Sequence, residues 1–432
     1  MKNKFTKLEK SWITYDWANS VYATVVLAAI YPVYFTSVAG AAGVPGDMWW
    51  GYGTSAATLV MAVLAPVIGA FGDFKGMKKR LFALFLAGGL VFTALGIFAD
   101  DWRLLLVSYA LSHVGFLGSC LLYDSFITDV TTPERMDRVS SWGYGMGYIG
   151  GSTIPFLVCV VLVMLADTLG IGDAGAVKWS LVITVVWWAV FSIPMLKNVK
   201  QVYYSESRPA HPGRQAFRNL WHTMKDIAKN RAVLLFLIAY FFYIDGVNTV
   251  INMATTYGAT LGLDTTGMIL ALVVTQVVAF PCAILFGRLC KKVGSINMII
   301  TAICVYFVIC VLGFFMGFST EENLLTNSQA LIIFWILAVL VGTCQGGIQA
   351  ISRSYFGKLI PRERSTEYFG FYDIFGKFAA IMGPVLYSIT RGLTGRSSLS
   401  LLSLILLFAV GGVVLVTNKG LFKKAEQDAA EK

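Results

Sequence analysis

Several ionisable side chains of this chain stand inside long apolar stretches, where each needs a partner or a polar cavity. Asp16 and Asn19 lie at i, i+3 spacing, and Asp245 and Asn248 repeat that spacing later in the chain, with Asn252 one turn further on. At helical periodicity each set shares one helix face. Burial disfavours the charged form of a carboxyl group, so Asp245 could bind and release a proton. For both carboxylates the alternative is a fixed, hydrogen-bonded helix-packing site.

A second set of candidates contains a histidine, a carboxylate and a guanidinium. His113 and Asp124 are separated by a spacing that leaves a net rotation of about 20° in an α-helix, so both side chains point the same way. His113 could relay protons or serve as a hydrogen-bonded structural residue. Arg353 occupies, within one residue, the place of Asp124 when Pro133 is aligned with Pro361. Its guanidinium could pair with Asp124, bind a carboxylate substrate or bridge neighbouring helices.

Amides and one further charge pair complete the set. Asp373 and Lys377 are an i, i+4 pair that could neutralise itself within one helix or take part in coupling. Gln345 and Gln349 share a helix face with Arg353, and Gln276 lies in another apolar stretch. These amide side chains could bind a polar solute or hold helices together.

Motifs of enzymes and cofactor sites are weak in this sequence. Gly145-x-Gly147-x-x-Gly150 fits the dinucleotide fingerprint, but an apolar helical stretch surrounds it and no strand precedes it, so the required context is missing. The sequence has neither a GxxxxGK[ST] phosphate loop nor an HExxH zinc motif. We therefore expect no enzymatic activity, no cofactor and no bound metal.

Composition identifies the environment that surrounds these residues. The chain has 432 residues, of which 57% are hydrophobic and only 13% are Asp, Glu, Lys or Arg. A soluble domain carries about 25% charged residues, and a helix needs about 20 apolar residues to cross a bilayer. We predict an all-α integral membrane protein with twelve transmembrane helices. The apolar stretches lie near 12–36, 49–71, 81–99, 102–128, 139–166, 177–196, 232–260, 266–289, 296–318, 329–356, 367–390 and 398–417.

The formal net charge of +10 is unevenly distributed along the chain. Most of the 34 Lys and Arg residues fall in alternate loops and at both termini, whereas the opposite loops hold Arg103, Lys178, Arg391 and Arg396. Basic loops stay on the cytoplasmic side of a membrane. We therefore expect a plasma membrane protein with cytoplasmic termini. The bilayer explains the basic charge, and nucleic acid is not an expected partner.

An internal repeat divides the chain into two halves. The Asp16 motif returns at Asp245, and the proline motif at Pro133 returns at Pro361. Parallel repeats of this kind build transporters from two similar bundles. We predict an N-terminal six-helix bundle over 1–196, a cytoplasmic linker with a basic amphipathic helix over 197–231, and a C-terminal six-helix bundle with a short tail over 232–432.

The loop after the second helix carries a motif with a family resemblance. Gly69-x3-Asp73-x2-Gly76-x-Lys78-Lys79 resembles the loop between helices two and three of the major facilitator superfamily. Three longer strings resemble the bacterial branch related to the autophagy-linked vacuolar amino-acid effluxers. The resemblance spans essentially the whole chain and implies two pseudo-symmetric bundles. It also implies a monomeric secondary transporter of amino acids or similar small metabolites. The three strings are Tyr15–Ser20, Gln345–Ser354 and Phe369–Ala380.

The same resemblance gives the loop a gating role. It implies that Asp73 meets the positive N-terminal end of helix eleven, near Thr366, and closes the cytoplasmic side. The second-half copy of the loop has Lys291 where the first half has Asp73. We therefore expect the contact to be asymmetric between the two halves.

Together these observations favour a secondary transporter that works by alternating access of two six-helix bundles. Its expected partners are a small-molecule solute, protons and the lipid bilayer. A membrane sensor or scaffold that retains the fold without transporting is the alternative. Flux in proteoliposomes distinguishes the two, because a sensor would bind solute without moving it.

Overall fold

The computed structural model describes residues 4–205 and 212–430. Within these residues it contains twelve helices that are long and apolar enough to cross a membrane, which confirms the predicted all-α integral membrane fold. The helices are α1 (Lys7–Ala41), α2 (Gly46–Gly72), α3 (Met77–Ile97), α4 (Trp102–Val130), α5 (Pro133–Met164), α6 (Gly172–Asn198), α7 (Arg231–Thr260), α8 (Thr265–Val293), α9 (Ser295–Glu321), α10 (Asn327–Leu359), α11 (Ser365–Thr394) and α12 (Ser397–Thr417).

α1 and α5 begin well before the apolar stretches that predict them, because residues in their first turns favour a helix start without being apolar. The side chain of Thr6 accepts the backbone N–H of Glu9, and the Glu9 carboxylate accepts the backbone N–H of Thr6. This capping box starts α1 at Lys7. α5 starts at Pro133, at a position where proline fits a helix without losing a needed N–H. As a result Asp137, which precedes the apolar stretch 139–166, is helical.

A helix also forms in the predicted linker. This linker helix spans Pro212–Lys229, whereas residues 206–211 of the predicted linker lie outside the described residues. In its last turns the apolar side chains of Trp221 and Met224 are exposed, whereas that of Ile227 is buried. After α12, a tail helix spans Lys419–Ala430.

Both α1 and α5 contain a stretch of π-helix, over Ala23–Ala29 and Gly147–Thr153. Glycines at the second stretch let the two helices approach closely. A Cβ atom added at Gly151 would lie 2.4 Å from the Cβ atom of Ser20, so no larger residue fits there without a shift. π-helical turns often mark functional positions, and this one holds the Asp16 face of α1 against α5.

Two compact units can be distinguished in the chain. Unit 1 comprises Met1–Thr132, Met146–Thr223 and Pro361–Asp373, and unit 2 comprises Pro133–Gly145, Met224–Ile360 and Ile374–Lys432. The units differ from the predicted sequence halves at two places. The first turns of α5 belong to unit 2, and the first turns of α11 belong to unit 1. The division into bundles over 1–196 and 232–432 stays a prediction from the internal repeat.

Candidate functional site

In unit 1, Asp73 binds the first turn of α11. The backbone N–H of Thr366 donates to Asp73 Oδ1 at 2.9 Å, and the N–H of Glu367 donates to Asp73 Oδ2 at 2.9 Å. A helix N-terminus has unpaired N–H groups and a partial positive charge, so a carboxylate is a suitable partner. The contact between Asp73 and the start of helix eleven, expected from the loop motif, is therefore present.

Glycines in the loop allow this contact. A Cβ atom added at Gly69 would lie 2.7 Å from the carbonyl oxygen of Thr366, so only glycine lets α2 approach α11 this closely. Gly76 has a φ of +73° at the N-cap of α3, a left-handed conformation that suits glycine. These two positions explain the glycines of the motif by geometry. Lys79 is half-buried beside them.

Burial dominates the electrostatics of Asp73. It raises the pKa of the carboxyl group to about 7, although Lys78 and the N–H groups of Glu367 and Thr366 favour the charged form. The carboxyl group therefore titrates near neutral pH while it is held against α11. A proton on Asp73 stabilises this buried arrangement relative to a solvent-exposed one.

Lys78 forms a second contact with α11, which we call the first cluster: Lys78, Asp129 and Ser365. Its Nζ lies 2.8 Å from Asp129 Oδ2 and 2.8 Å from Ser365 Oγ. Both charged side chains have 0% exposure. A buried ion pair is stable only when its remaining polar atoms are also bonded. The first cluster thus joins α3, the end of α4 and the start of α11.

Asp129 also holds the chain that follows α6. Its Oδ1 accepts the backbone N–H groups of Val202 and Tyr203 at 2.7 and 2.9 Å. Arg362, just before α11, donates to the hydroxyl of Tyr203 at 2.8 Å. The beginning of the linker is therefore bound to the same set of helix ends as the first cluster.

Unit 2 contains a comparable arrangement, the second cluster: Asp137, Ser295, Lys358 and Glu426. Lys358 Nζ donates to Asp137 Oδ2 at 2.7 Å, to Ser295 Oγ at 2.9 Å and to Glu426 Oε1 at 2.8 Å. Asp137 Oδ1 accepts the hydroxyl of Ser354 at 2.6 Å. The second cluster joins the start of α5 to the start of α9, the end of α10 and the tail helix.

The two clusters occupy corresponding places in the two sequence halves, but their residue types are permuted. Each contains one lysine, one aspartate and one serine at matching positions, counted from the copied glycine and proline motifs. The clusters differ in the position of the lysine, which lies on α3 in unit 1 and on α10 in unit 2, and the expected asymmetry between Asp73 and Lys291 stays a prediction. The corresponding pairs, within one residue, are Lys78 with Ser295, Asp129 with Lys358, and Ser365 with Asp137.

Arg353 also binds the start of α5. Its Nε donates to Ser140 Oγ at 2.9 Å, its Nη2 donates to the carbonyl of Ser140 at 3.2 Å, and its guanidinium lies 4.4 Å from the ring centre of Tyr144. These contacts suit the inter-helix bridge among the three roles considered for Arg353. Asp124 is half-buried on α4. Its pairing with Arg353, and binding of a carboxylate substrate, stay predictions.

The predicted residues of α1 and α4 lie together in unit 1. Tyr123 donates its hydroxyl to Asp16 Oδ2 at 2.8 Å, and Asn19 Nδ2 lies 3.6 Å from the sulfur of Cys120. His113 is buried, with its Nδ1 3.5 Å from the hydroxyl of Tyr109. Asp16 is thus a hydrogen-bonded carboxylate on a packed face, as its helix-packing alternative requires.

Asp245 on α7 has a different environment. It has 0% exposure, and its Oδ2 has no hydrogen-bond partner among the described residues. The hydroxyl of Thr249 lies 3.5 Å from Oδ1, and a Cβ atom added at Gly383 of α11 would lie 2.9 Å from that oxygen. Along the same face Asn248 is half-buried and Asn252 is exposed. An ionised carboxylate is costly to bury in this way.

The remaining predicted residues are placed as follows. Gln345 is buried, and Gln276 and Gln349 are half-buried. Asp373 and Lys377 are both half-buried on α11, and the boundary between the two units falls between them. Their self-pairing stays a prediction.

Sequence reasoning missed the charged members of both clusters other than Lys78. Asp129, Asp137 and Lys358 stand at the ends of apolar stretches, where charges were counted as loop residues. The internal repeat could have revealed them. When the two halves are aligned, each of these residues falls within one residue of a polar residue in the other half. Glu426 in the tail offered no comparable signal.

Comparison with known proteins identifies the family. The model of the family described as "Vacuole effluxer Atg22 like" matches residues 50–428. The chain belongs to this family. It is 44% identical over 422 residues to the MFS-type transporter YxiO of Bacillus subtilis (strain 168), which covers 96% of this chain and 95% of that protein. The Atg22-like chain is therefore a major facilitator superfamily transporter and not an enzyme, as predicted.

More distant relatives share part of their length or the fold. Autophagy-related protein 22-1 of Aspergillus clavatus is 26% identical over 294 residues, which is 62% of this chain and 47% of that protein. The human organic anion transporter MFSD10 (TETRAN) superposes with a TM-score of 0.66 at 14% identity, covering 95% of this chain and 99% of that one. The proton:xylose symporter XylE superposes with a TM-score of 0.65 at 11% identity, covering 96% and 94%. At such identities these structures support the fold alone.

Proposed function

We propose that this Atg22-like protein is a secondary active transporter of amino acids or related small metabolites that works by alternating access and is coupled to protons. The observation that carries the proposal is the pair of buried clusters. Each joins a helix start from one sequence half to helix ends from the other half: α11 with α3 and α4, and α5 with α9 and α10. Movement of the halves against each other would have to break both clusters.

In this mechanism each cluster acts as a latch between a helix start of one sequence half and helices of the other half. Opening of the latches exposes Lys78, Asp129, Asp137 and Lys358 to water, which compensates for the lost ion pairs by solvation. A buried pair contributes little net stability relative to hydrated ions. The latches therefore hold the helix ends in a defined closed arrangement but do not stabilise it so strongly that the open state becomes inaccessible. A transport cycle requires both states. From the distribution of basic loops, we place the loops next to each cluster in the cytoplasm.

Asp245 is the proposed proton carrier. The Oδ2 atom without a described partner and the full burial of the side chain make its neutral form the less costly one in this state. If the opposite state exposes Asp245 to water, the group would release its proton there. Alternation between the two environments would couple proton movement to solute movement.

The substrate class rests on the family. The family description refers to a vacuole effluxer, the names of the fungal relatives refer to autophagy, and the resemblance of the sequence motifs implies amino acids or similar small metabolites. We propose the same class of solute for this chain. We place it in a bacterial plasma membrane as a monomer with both termini in the cytoplasm.

Two measurements test the proposal in sequence. The purified protein is first screened for thermal stabilisation by an amino-acid and metabolite panel, because a ligand that binds the folded state raises the melting temperature. Radiolabelled solutes from that screen are then tested for uptake into proteoliposomes with an acidic exterior. Saturable uptake that a protonophore abolishes supports the proposal. Binding without flux would instead support the sensor alternative.

A further inference from the structure

Lys358 of the second cluster is shared between two carboxylates. Its Nζ atom donates to Asp137 Oδ2 at 2.7 Å and to Glu426 Oε1 at 2.8 Å. The hydroxyl of Ser295 lies between the same two acceptors, 2.7 Å from Asp137 Oδ2 and 3.1 Å from Glu426 Oε1. A serine hydroxyl has only one proton to donate. The two carboxylates therefore compete for one hydroxyl proton and one ammonium group.

The two competing carboxylates come from different sequence halves. Asp137 lies on α5, in the first half. Its partners Ser295, Lys358 and Glu426 lie on α9, α10 and the tail helix, all in the second half. When the halves move against each other, as the proposed function requires, Asp137 is the carboxylate that leaves the lysine. Glu426 is the carboxylate that stays beside it.

The first cluster distributes its members differently. Lys78 and its carboxylate Asp129 both lie in the first half, on α3 and α4, and Ser365 is the member from the second half. Separation of the halves therefore does not take that lysine away from its carboxylate. In the aligned repeat Lys358 stands where the first half has Asp129, so the second half has no carboxylate at that position. Glu426 of the tail helix supplies the missing carboxylate.

The tail helix is anchored next to the second cluster. Phe422 is fully buried, and its carbonyl accepts the hydroxyl of Tyr355 at 3.0 Å. The rings of Phe422 and Tyr355 also meet edge to face, with centroids 6.3 Å apart. Residues four apart lie on the same face of a helix, so Glu426 follows Phe422 one turn further on. The anchor on α10 therefore holds Glu426 at Lys358.

We propose that Glu426 is a positioning residue for alternating access, which takes over Lys358 and Ser295 when Asp137 leaves. This inference rests on the proposed function. In the closed state, with Asp137 on Lys358, loss of the Glu426 charge leaves the lysine paired and removes the repulsion between the two carboxylates. In the open state the same loss takes away the carboxylate that stayed. The charge of Glu426 therefore favours the open state.

Alkylation of a cysteine in place of Ser141 measures the open state. Ser141 lies on α5 and is fully buried, and its Oγ has no hydrogen-bond partner among the described residues. A Cβ atom built at Gly287 of α8 would lie 2.5 Å from that Oγ, so α8 covers the side chain. Ser141→Cys is made in a full-length chain whose seven native cysteines are replaced. The purified protein is treated with N-ethylmaleimide well below its melting temperature, without any solute.

The two carboxylates should have opposite effects on the labelling rate. Glu426→Gln should slow labelling at least about threefold, because a neutral amide is a weaker acceptor for an ammonium group than a carboxylate. Asp137→Asn should accelerate labelling at least about threefold, because it weakens the link between α5 and α10. Glu426→Asp keeps the charge on a shorter side chain and should lie between the parent and Glu426→Gln. Asp428→Asn removes an exposed carboxylate of the same tail helix and, as the matched control, should label like the parent.

Two results would overturn the proposal, and they have different meanings. If Asp137→Asn accelerates labelling but Glu426→Gln also accelerates it or leaves it unchanged, Glu426 only attaches the tail helix, and the proposed function stands. If neither variant changes the labelling rate, α5 does not leave α8 by breaking the second cluster. That result would overturn the proposed alternation together with the role of Glu426.

Discussion

Asp73 accepts the backbone N–H groups of Thr366 and Glu367 at 2.9 Å each, so one carboxylate caps the first turn of α11. The hydroxyl of the neighbouring Ser365 binds Lys78. Both contacts join the start of α11, in the second sequence half, to the first half: Asp73 lies in the loop after α2, and Lys78 lies in the first turn of α3. A movement that separates the halves must release the helix N-terminus and the lysine together.

The raised pKa of Asp73 predicts that the contact depends on pH. In the buried state its pKa is about 7, whereas a solvent-exposed aspartate titrates near about 3.9. Below both pKa values Asp73 is protonated in both states, and the free energy that favours the buried state over the exposed state is largest. This free-energy difference falls as the pH rises from about 3.9 to about 7, because Asp73 ionises first in the exposed state. Between about pH 6 and about pH 8, the ratio of released to buried populations should rise about tenfold.

Alkylation of a cysteine in place of Ser365 measures this release, because the serine is fully buried in the contact. The labelling rate should increase over that pH range, beyond the increase expected from thiol ionisation alone. Asp73→Asn in the same background cannot ionise and should remove the excess. Lys78 lies near Asp73 and favours its charged form, as do the backbone N–H groups of Thr366 and Glu367. An identical pH profile in both backgrounds would mean that Asp73 does not govern the contact.

Removal of one partner of the first cluster should be strongly destabilising. Lys78→Met leaves Asp129 as a buried carboxylate without its lysine, and such losses cost about 3–5 kcal/mol. Lys78→Met combined with Asp129→Asn removes both charges while keeping an acceptor for the N–H groups of Val202 and Tyr203, so it should recover part of the loss. Thermal unfolding of the two variants gives the comparison. Equal melting temperatures for the single and double variants would argue against a coupled ion pair.

The close packing of α1 against α5 gives a third prediction. A Cβ atom added at Gly150 would lie 1.9 Å from a ring atom of Trp17, so Gly150→Ala should lower stability by about 1–3 kcal/mol through overpacking. Gly88→Ala on α3 is a matched control, because a Cβ atom there meets nothing within 4 Å. Its melting temperature should equal or exceed that of the parent protein. A Gly150→Ala variant as stable as Gly88→Ala would show that α5 can shift away from α1.

Asp245→Asn tests the proposed proton carrier. Asparagine has nearly the same shape, so the variant should fold and still bind solute, but it cannot take up and release a proton. Accumulation of solute in an acid-outside gradient should be abolished. Asp173→Asn, an exposed position in the first turn of α6, is the matched control and should accumulate solute like the parent. Unchanged accumulation by Asp245→Asn would remove this residue from the mechanism.

Much of the fold could be predicted from the sequence, because the bilayer imposes length and composition on each helix. Twelve apolar stretches became twelve helices, and the errors fell at helix ends. α1 begins early because Thr6 and Glu9 form a capping box, and α5 begins early at Pro133. A search for apolar stretches does not detect such helix-start residues. The loop motif also predicted where Asp73 would bind.

The clusters were not predicted, because they depend on which chain ends meet in space. Lys358 and Asp137 are far apart in the sequence, and each resembles an ordinary charge at the edge of a membrane helix. Similarly, the repeat suggested that Asp16 and Asp245 are equivalent. Only the structure distinguishes the carboxylate that binds Tyr123 from the one whose Oδ2 has no described partner.

A reversible crosslink between α2 and α11 tests the central claim, that the contact at Asp73 must open during transport. A Cβ atom built at Gly72 lies 3.1 Å from the Cβ atom of Thr366, and disulfides join Cβ atoms about 3.5–4.5 Å apart, so a small shift allows the bond. Gly72→Cys with Thr366→Cys is made in a chain whose seven native cysteines are replaced. The two single variants control for oxidation alone.

Uptake of a solute identified in the panel is measured in proteoliposomes before oxidation, after oxidation and after reduction. If the two halves alternate by opening this contact, the oxidised double variant will not transport, and reduction will restore uptake. Transport by the oxidised protein at the rate of the reduced protein would contradict the account.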